Sequence, residues 1–361
     1  MRLLYASRSS STHDHRFLSA WREEGVVVDS IFVDGSGGEA VPGEQGPEGS
    51  EGFDSRLRTR IDAFRPDVIH AGPLTDVGSA VARVWSGPFV AMSWGFDLMD
   101  DIHKSRSAWK QAQAVIARAD VLIVDNDGPR RVALELGAES SQIVQFPWGI
   151  DLEAFHPGLS DFRQSLSISQ GDIVVLCTRR HEAIYDVQTV VDAFIATAPC
   201  SPRLRLMLAG SGTQTGELKA TVHESGLRTR VNFLGEVDQK VLPSIYRAAD
   251  LYVSPSRVDG SSVSLLEAMA SGIPVCVSDI EGNRQWIADD RGLSFPVGDV
   301  GRLAQLLTAF AAGMPTDIQR AATQRRGRAL DYVTKHANWE CTRKALPGIA
   351  RSAIEKNTEH K

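Results

Sequence analysis

The chain has 361 residues, a length for about two domains, and its 42% hydrophobic and 23% charged residues exclude fibrous and wholly disordered classes. A net charge of −6 argues against a general nucleic-acid coat, which needs a basic surface, but leaves room for a local basic pocket. No apolar run approaches the ~18 residues of a membrane span, and Leu3-Leu4-Tyr5-Ala6 is too short for a signal-peptide core.

Short β-rich runs recur along the first half: Arg2–Ala6, Val26–Val33, Asp67–Ala71, Phe89–Ser93, Val121–Val124 and Gln142–Phe146. Several are almost continuously apolar, as strands buried on both faces should be. Helical stretches lie between them. In Arg16–Glu24, Phe17, Leu18 and Trp21 share one face, and Pro129–Leu136 opens with a proline suited to a helix start. Residues 34–54 hold seven Gly, two Pro and six acidic residues, from which no core can be built. We read them as a mobile surface loop after the second strand, either a solvated insertion or a lid.

Asp151–Leu159, with His156-Pro157-Gly158, connects this series to a second one. That series runs through Ile173–Cys177, Leu204–Leu208, Val231–Leu234, Leu251–Val253 and Pro274–Ser278. Alternating β and α segments imply parallel sheets with right-handed crossovers. The expected architecture is α/β: two doubly wound Rossmann-like domains facing a cleft. One comprises residues 1–157 with 343–361, and the other residues 158–342. Ligands of such sheets sit beyond the carboxyl ends of the strands. The four cysteines, Cys177, Cys200, Cys276 and Cys341, are scattered and read as reduced fillers in a cytoplasmic chain.

The segment 250–283 is the richest in chemistry. A strand ends at Ser254-Pro255-Ser256, a turn Asp259-Gly260-Ser261-Ser262 follows, and a helix starts near Ser262. Ser261 or Ser262 can cap its first turn, and its free N–H groups suit a phosphate. Asp259 precedes the helix and Glu267 lies about two turns further on. Two carboxylates suit sugar hydroxyls better than phosphate. Glu267 sits inside Leu265-Leu266-Glu-Ala-Met-Ala, so a buried partner is expected for it.

This segment resembles the donor-site signature of the retaining glycosyltransferases of family 4, which have the two-domain GT-B fold. Their Glu-x7-Glu spacing is kept by Asp259 and Glu267, and Glu-Ala-Met-Ala-x-Gly-x-Pro-Val is present at 267–275. Phe146-Pro-Trp-Gly149-Ile-Asp151 and Phe155-His-Pro157 resemble the family's interdomain segment. Leu208-Ala-Gly210-Ser-Gly212 and Val231-Asn-Phe-Leu-Gly235 resemble its next strand ends. The likeness spans about residues 60–340.

The resemblance implies a hexosyltransferase-like enzyme that moves a sugar from a nucleotide-diphosphate sugar to an unknown acceptor, with retention of anomeric configuration. Glu267 would hold the ribose and Asp259 a sugar hydroxyl. The backbone of Gly260, Ser261, Ser262 and Val263, with Gly210 and Gly212, would cradle the diphosphate, and residues near Leu234–Val237 would flank the base. Arg179, with Arg180 second, would meet the diphosphate charge. The family's usual lysine is missing here, since no lysine lies between Lys110 and Lys219. The family's glycine-rich loop after the first strand has no Gly-Gly here, and Thr12, His13 and Arg16 stand there for phosphate or acceptor instead; the other acceptor-side candidates are His70 after the third strand, and Trp94 and Asp97 after the fourth. Gly72 stands where many members have a second His. No metal or other cofactor is expected, and no nucleic-acid partner. Peripheral membrane contact and oligomeric state stay open. The alternatives are a sugar-nucleotide epimerase of the same architecture and a non-catalytic relative that binds sugar nucleotide or glycan.

Overall fold

Apolar runs of four residues that are buried along their whole length form the middle of two parallel sheets. They include β3 (Val68–Ala71), β4 (Phe89–Met92) and β5 (Val121–Val124) in one sheet. The other holds β10 (Leu251–Ser254) and β11 (Val275–Ser278). The computed structural model describes residues 1–36, 50–312 and 316–359. The remaining strands are β1 (Arg2–Ser7), β2 (Val27–Phe32), β6 (Ile143–Gln145), β7 (Ile173–Cys177), β8 (Leu204–Ala209), β9 (Val231–Gly235) and β12 (Leu293–Phe295). The first sheet has the order β2-β1-β3-β4-β5-β6 and the second β12-β11-β10-β7-β8-β9, with all pairings parallel. β12 is the strand that periodicity did not reveal, because three edge residues are too few to show a pattern.

The chain divides into two units, Met1–Trp148 with the segment from Trp339 on, and Gly149–Asn338. These breaks come earlier than those expected after residues 157 and 342. Ile150 bridges to Asn338, and Phe155 packs its ring 5.7 Å from Tyr246 in the second unit's core. The Trp339 ring instead meets Phe17 of the first unit at 5.5 Å.

In the first unit, one face of the sheet buries Leu4, Ala6, Ile69 and Ala71 against Phe53 and Leu57 of helix Ser50–Phe64. Phe53 and Leu57 lie one turn apart on that helix, so the glycine-rich segment stops being a loop at Ser50. The expectation for residues 37–49 lies outside the described residues. Helix Thr12–Glu23 starts about a turn before the expected Arg16, because Ser11 and Asp14 form a reciprocal capping box. In the second unit, separate apolar clusters cover the two faces of the sheet, as a doubly wound fold requires. Among the described residues no helix is long and apolar enough to cross a membrane.

Candidate active site

Strand order reverses between β7 and β10 in the second unit. Crossovers leave in opposite directions there, which opens a crevice beyond the carboxyl ends of both strands. β7 delivers Arg179 to that point, and β10 delivers the turn from Asp259 to Ser262. The Arg179 side chain is almost wholly buried, and its Nη2 lies 2.7 Å from the Asp259 carboxylate. Its Nη1 donates to Ser262 Oγ and Ser264 Oγ, both at 2.9 Å. Its Cζ sits 4.1 Å from the centre of the Tyr185 ring. Tyr252 in turn donates to Ser264 Oγ at 2.8 Å.

Burial works against the Arg179 charge, but the Asp259 carboxylate overrides it and holds the guanidinium above its ordinary range. The Asp259 carboxyl is itself raised by burial, with the Arg179 charge pulling the other way. The pair is one unit in which each charge tolerates burial because of the other.

Helix Val263–Ala270 buries Leu265, Leu266, Ala268, Met269 and Ala270 and carries Glu267 in with them. The expected buried partner of Glu267 exists, and it is a phenol: Tyr246 Oη donates to Glu267 Oε2 at 2.8 Å. Thr178 Oγ1 lies 2.9 Å from the same phenol, which links Glu267 to the end of β7. Burial first, and then the Glu267 charge, pushes the Tyr246 hydroxyl well above its ordinary range, so it stays a donor. Sequence reasoning did not place Tyr246 in the site. The signal available was the need of a buried carboxylate for a partner.

The first turn of this helix has no side-chain cap, contrary to the expectation for Ser261 or Ser262. Ser262 Oγ takes the Arg179 N–H instead, and the backbone N–H groups at Val263 and beyond are left for another acceptor. Ser261 and Gly260 are buried in the turn, Val263 is half-buried, and Arg180, after β7, is exposed. The backbone N–H groups expected to form a glycine cradle bond within the chain: that of Gly210 donates to the Gly235 carbonyl at 2.7 Å and that of Gly212 to Thr215 Oγ1 at 3.0 Å. A Cβ on Gly210 would come within 2.7 Å of the Arg179 carbonyl, and one on Gly212 within 2.5 Å of the His181 carbonyl. These glycines admit the chain's own β7 loop. Gly282 was also missed: a Cβ there would reach 2.5 Å from the Asp259 carbonyl and collide with that of Gly260. It lets helix Glu281–Ile287 seat against the site turn.

In the first unit two expected acceptor residues lie in the core. His70 has no exposed surface; its Nδ1 accepts from Trp21 Nε1 at 3.3 Å and its Nε2 is 3.3 Å from Met92 Sδ. Burial lowers its pKa to about 3, so it is neutral. Asp97 is equally buried and accepts from the backbone of Leu74 (2.8 Å), Trp94 (3.1 Å) and Leu98 (3.0 Å) and from Ser93 Oγ (2.6 Å). Burial pushes its carboxyl up to about 6. It ties its own turn and has no surface for a sugar hydroxyl.

Trp94 is half-buried between the rings of His13 and Trp148, each 6.0 Å away. Gly72 makes room for it, since a Cβ there would come within 2.6 Å of Trp94 Nε1. Thr12 is exposed at the helix start, and Arg16 lies 3.8 Å over the Trp339 ring. Sequence reasoning passed over Arg8. It follows β1 beside the unit's own reversal between β1 and β3, and pairs with Asp76 and, at 3.4 Å, with Asp101. The strand-order rule, once the order is known, points to it.

Residues 160–327 match the family described as Glycosyl transferases group 1. The match lies inside the second unit. The lipopolysaccharide core biosynthesis mannosyltransferase LpsB of Rhizobium meliloti (strain 1021) is 29% identical over 211 residues, 56% of this chain and 58% of its own length. The chain spans about half the length of the curated relatives it matches. Among solved structures, sucrose-phosphate synthase from Thermosynechococcus elongatus superposes with a TM-score of 0.81 at 19% identity, covering 98% of this chain and 99% of that one. Anabaena Alr3699/HepE in complex with UDP and glucose gives 0.78 at 17% identity, covering 96% and 98%. These likenesses establish the fold as two Rossmann-like domains of the GT-B class.

Proposed function

We propose that this chain, whose second unit matches the group 1 glycosyltransferase family, transfers a hexosyl group from a nucleotide-diphosphate sugar to an acceptor, with retention of anomeric configuration. The observation that carries the reading is the convergence of Arg179, Asp259 and Glu267 beyond β7 and β10. The mannosyltransferase name of the Rhizobium relative and the UDP and glucose of the Anabaena structure support it.

Glu267, fixed by Tyr246, accepts the ribose hydroxyls. The uncapped first turn of helix Val263–Ala270 receives the diphosphate with Arg179. The diphosphate displaces Asp259 from the guanidinium, and the freed carboxylate takes a donor-sugar hydroxyl. As the glycosidic bond breaks, negative charge grows on the leaving diphosphate, and a guanidinium already buried there stabilises it without reorganisation. No side chain is assigned as a nucleophile, so the acceptor oxygen attacks from the face that the diphosphate leaves. We place the reaction in the cytoplasm, because the chain carries four free cysteines, two of them exposed.

The test is incubation with UDP- and GDP-sugars, without acceptor and without added metal. Slow release of UDP or GDP is expected, unchanged by chelator. Isomerised sugar would mark an epimerase, and binding without turnover a non-catalytic relative. Activity lost in chelator and restored by Mg²⁺ would remove Arg179 as the sole cation on the leaving group.

A further inference from the structure

The Arg179 guanidinium is held on its edges by hydroxyls and a carboxylate, and on its face by Tyr185. The backbone that carries the ring is fixed in place. Tyr185 closes the short helical turn Ala183–Tyr185, and Asp186 after it adopts a left-handed conformation with φ 48°. Ile184 accepts the backbone N–H of Arg257 at 2.9 Å, and Arg257 pairs with Asp186 at 2.8 Å. The segment bearing Tyr185 is thus stitched to the β10 loop that bears Asp259. Both walls around Arg179 are joined.

Arg179 Nε is buried without a hydrogen-bond partner. Once a diphosphate displaces Asp259, two serine hydroxyls on one nitrogen are the hydrogen bonds left, and they permit the guanidinium to tilt about that nitrogen. A ring against its face forbids the tilt and leaves every N–H pointing in the guanidinium plane. Arg179 also carries this task without a nearby lysine in sequence, none lying between Lys110 and Lys219.

We propose that Tyr185 is a positioning residue, whose ring keeps the plane of Arg179 fixed while its N–H donors pass from Asp259 to the donor diphosphate. This rests on the donor-site reading above.

The experiment titrates UDP and GDP separately into wild type, Tyr185→Phe, Tyr185→Leu, Tyr185→Met, Arg179→Gln and Glu267→Gln. Donor turnover and melting temperature are followed in parallel. The expected result is a Tyr185→Leu protein that melts like Tyr185→Phe but binds nucleoside diphosphate about 3- to 30-fold more weakly, the range of a partly desolvated cation–π contact. Its kcat falls by a similar factor. Tyr185→Phe stays within about twofold of wild type, because the ring face acts and the hydroxyl does not. Tyr185→Met serves in place of the Leu variant should that one not fold. Wild-type affinity in the Leu or Met variant, or equal loss in Phe and Leu, overturns the role of Tyr185. If Arg179→Gln weakens binding and Tyr185→Leu does not, only this inference fails. If neither UDP nor GDP binds wild type, or if Arg179→Gln and Glu267→Gln both bind normally, the donor-site reading fails and this role falls with it.

Discussion

Asp259 behaves as a resident anion on Arg179, at 2.7 Å. Removing its charge frees the guanidinium for a phosphate, so Asp259→Asn should bind UDP or GDP about tenfold more tightly while turning over more slowly. Calorimetric titration decides this, and unchanged or weaker affinity refutes the exchange. Under its proposed role, Glu267→Gln should do the reverse and weaken nucleoside diphosphate binding about 10- to 150-fold, since the charge-assisted hydrogen bond proposed to ribose would be lost. Asp97 makes a different prediction. Burial raises its folded-state pKa from 3.8 to about 6, so the folded chain holds a proton that the unfolded chain has released. The stability this group contributes is full below 3.8 and is lost as pH rises through 6, by up to ~3 kcal/mol. His70 runs the other way: its pKa is lowered to about 3, and its contribution is lost as pH falls below 6.5. Subtracting the urea stability of Asp97→Asn from that of wild type cancels the histidine. The difference should shrink between pH 4.5 and 7, and a flat difference rules the titration out.

At the scale of elements, the site depends on glycines that let backbones touch. Gly282 admits the carbonyls of Asp259 and Gly260 against the start of helix Glu281–Ile287. Gly282→Ala must push that helix or the turn aside, costing about 1–3 kcal/mol and weakening nucleoside diphosphate binding. Gly216, in helix Thr215–Glu224, has nothing within 4 Å of its would-be Cβ. Gly216→Ala should therefore stabilise by roughly 0.4–1 kcal/mol and leave binding alone. Paired melting curves and titrations test both, and equal effects would mean that close approach is not what Gly282 provides.

At the scale of the molecule, each unit owns its core. Leu4, Ile69, Ala91 and Leu122 belong to one cluster in the first unit, while the second has clusters on both faces of its sheet. Arg179, Tyr185, Tyr246, Asp259, Glu267 and Gly282 all lie within Gly149–Asn338. A fragment of residues 149–338 should melt cooperatively and bind UDP or GDP within a few-fold of the whole chain, without turnover. A folded fragment with no affinity would mean that the donor seat needs the first unit.

What the sequence determined by itself is what travels along the chain. Apolar runs placed β1 to β11, and their alternation with helices implied two parallel sheets, because burial on both faces leaves a local imprint. The Asp259 to Glu267 spacing and the Gly-Ser-Ser turn were legible for the same reason, being one turn and one helix. Strand order is not written locally, and the rest followed from it. Arg179 meets Ser262 across 83 residues of chain only because β7 and β10 are neighbours. The same packing gave Glu267 a tyrosine as partner, put His70 and Asp97 out of reach of any ligand, and turned Gly210 and Gly212 toward the chain's own carbonyls. A side chain's chemistry can be read from its letter, but its availability depends on which backbone lies against it, and tertiary packing alone decides that.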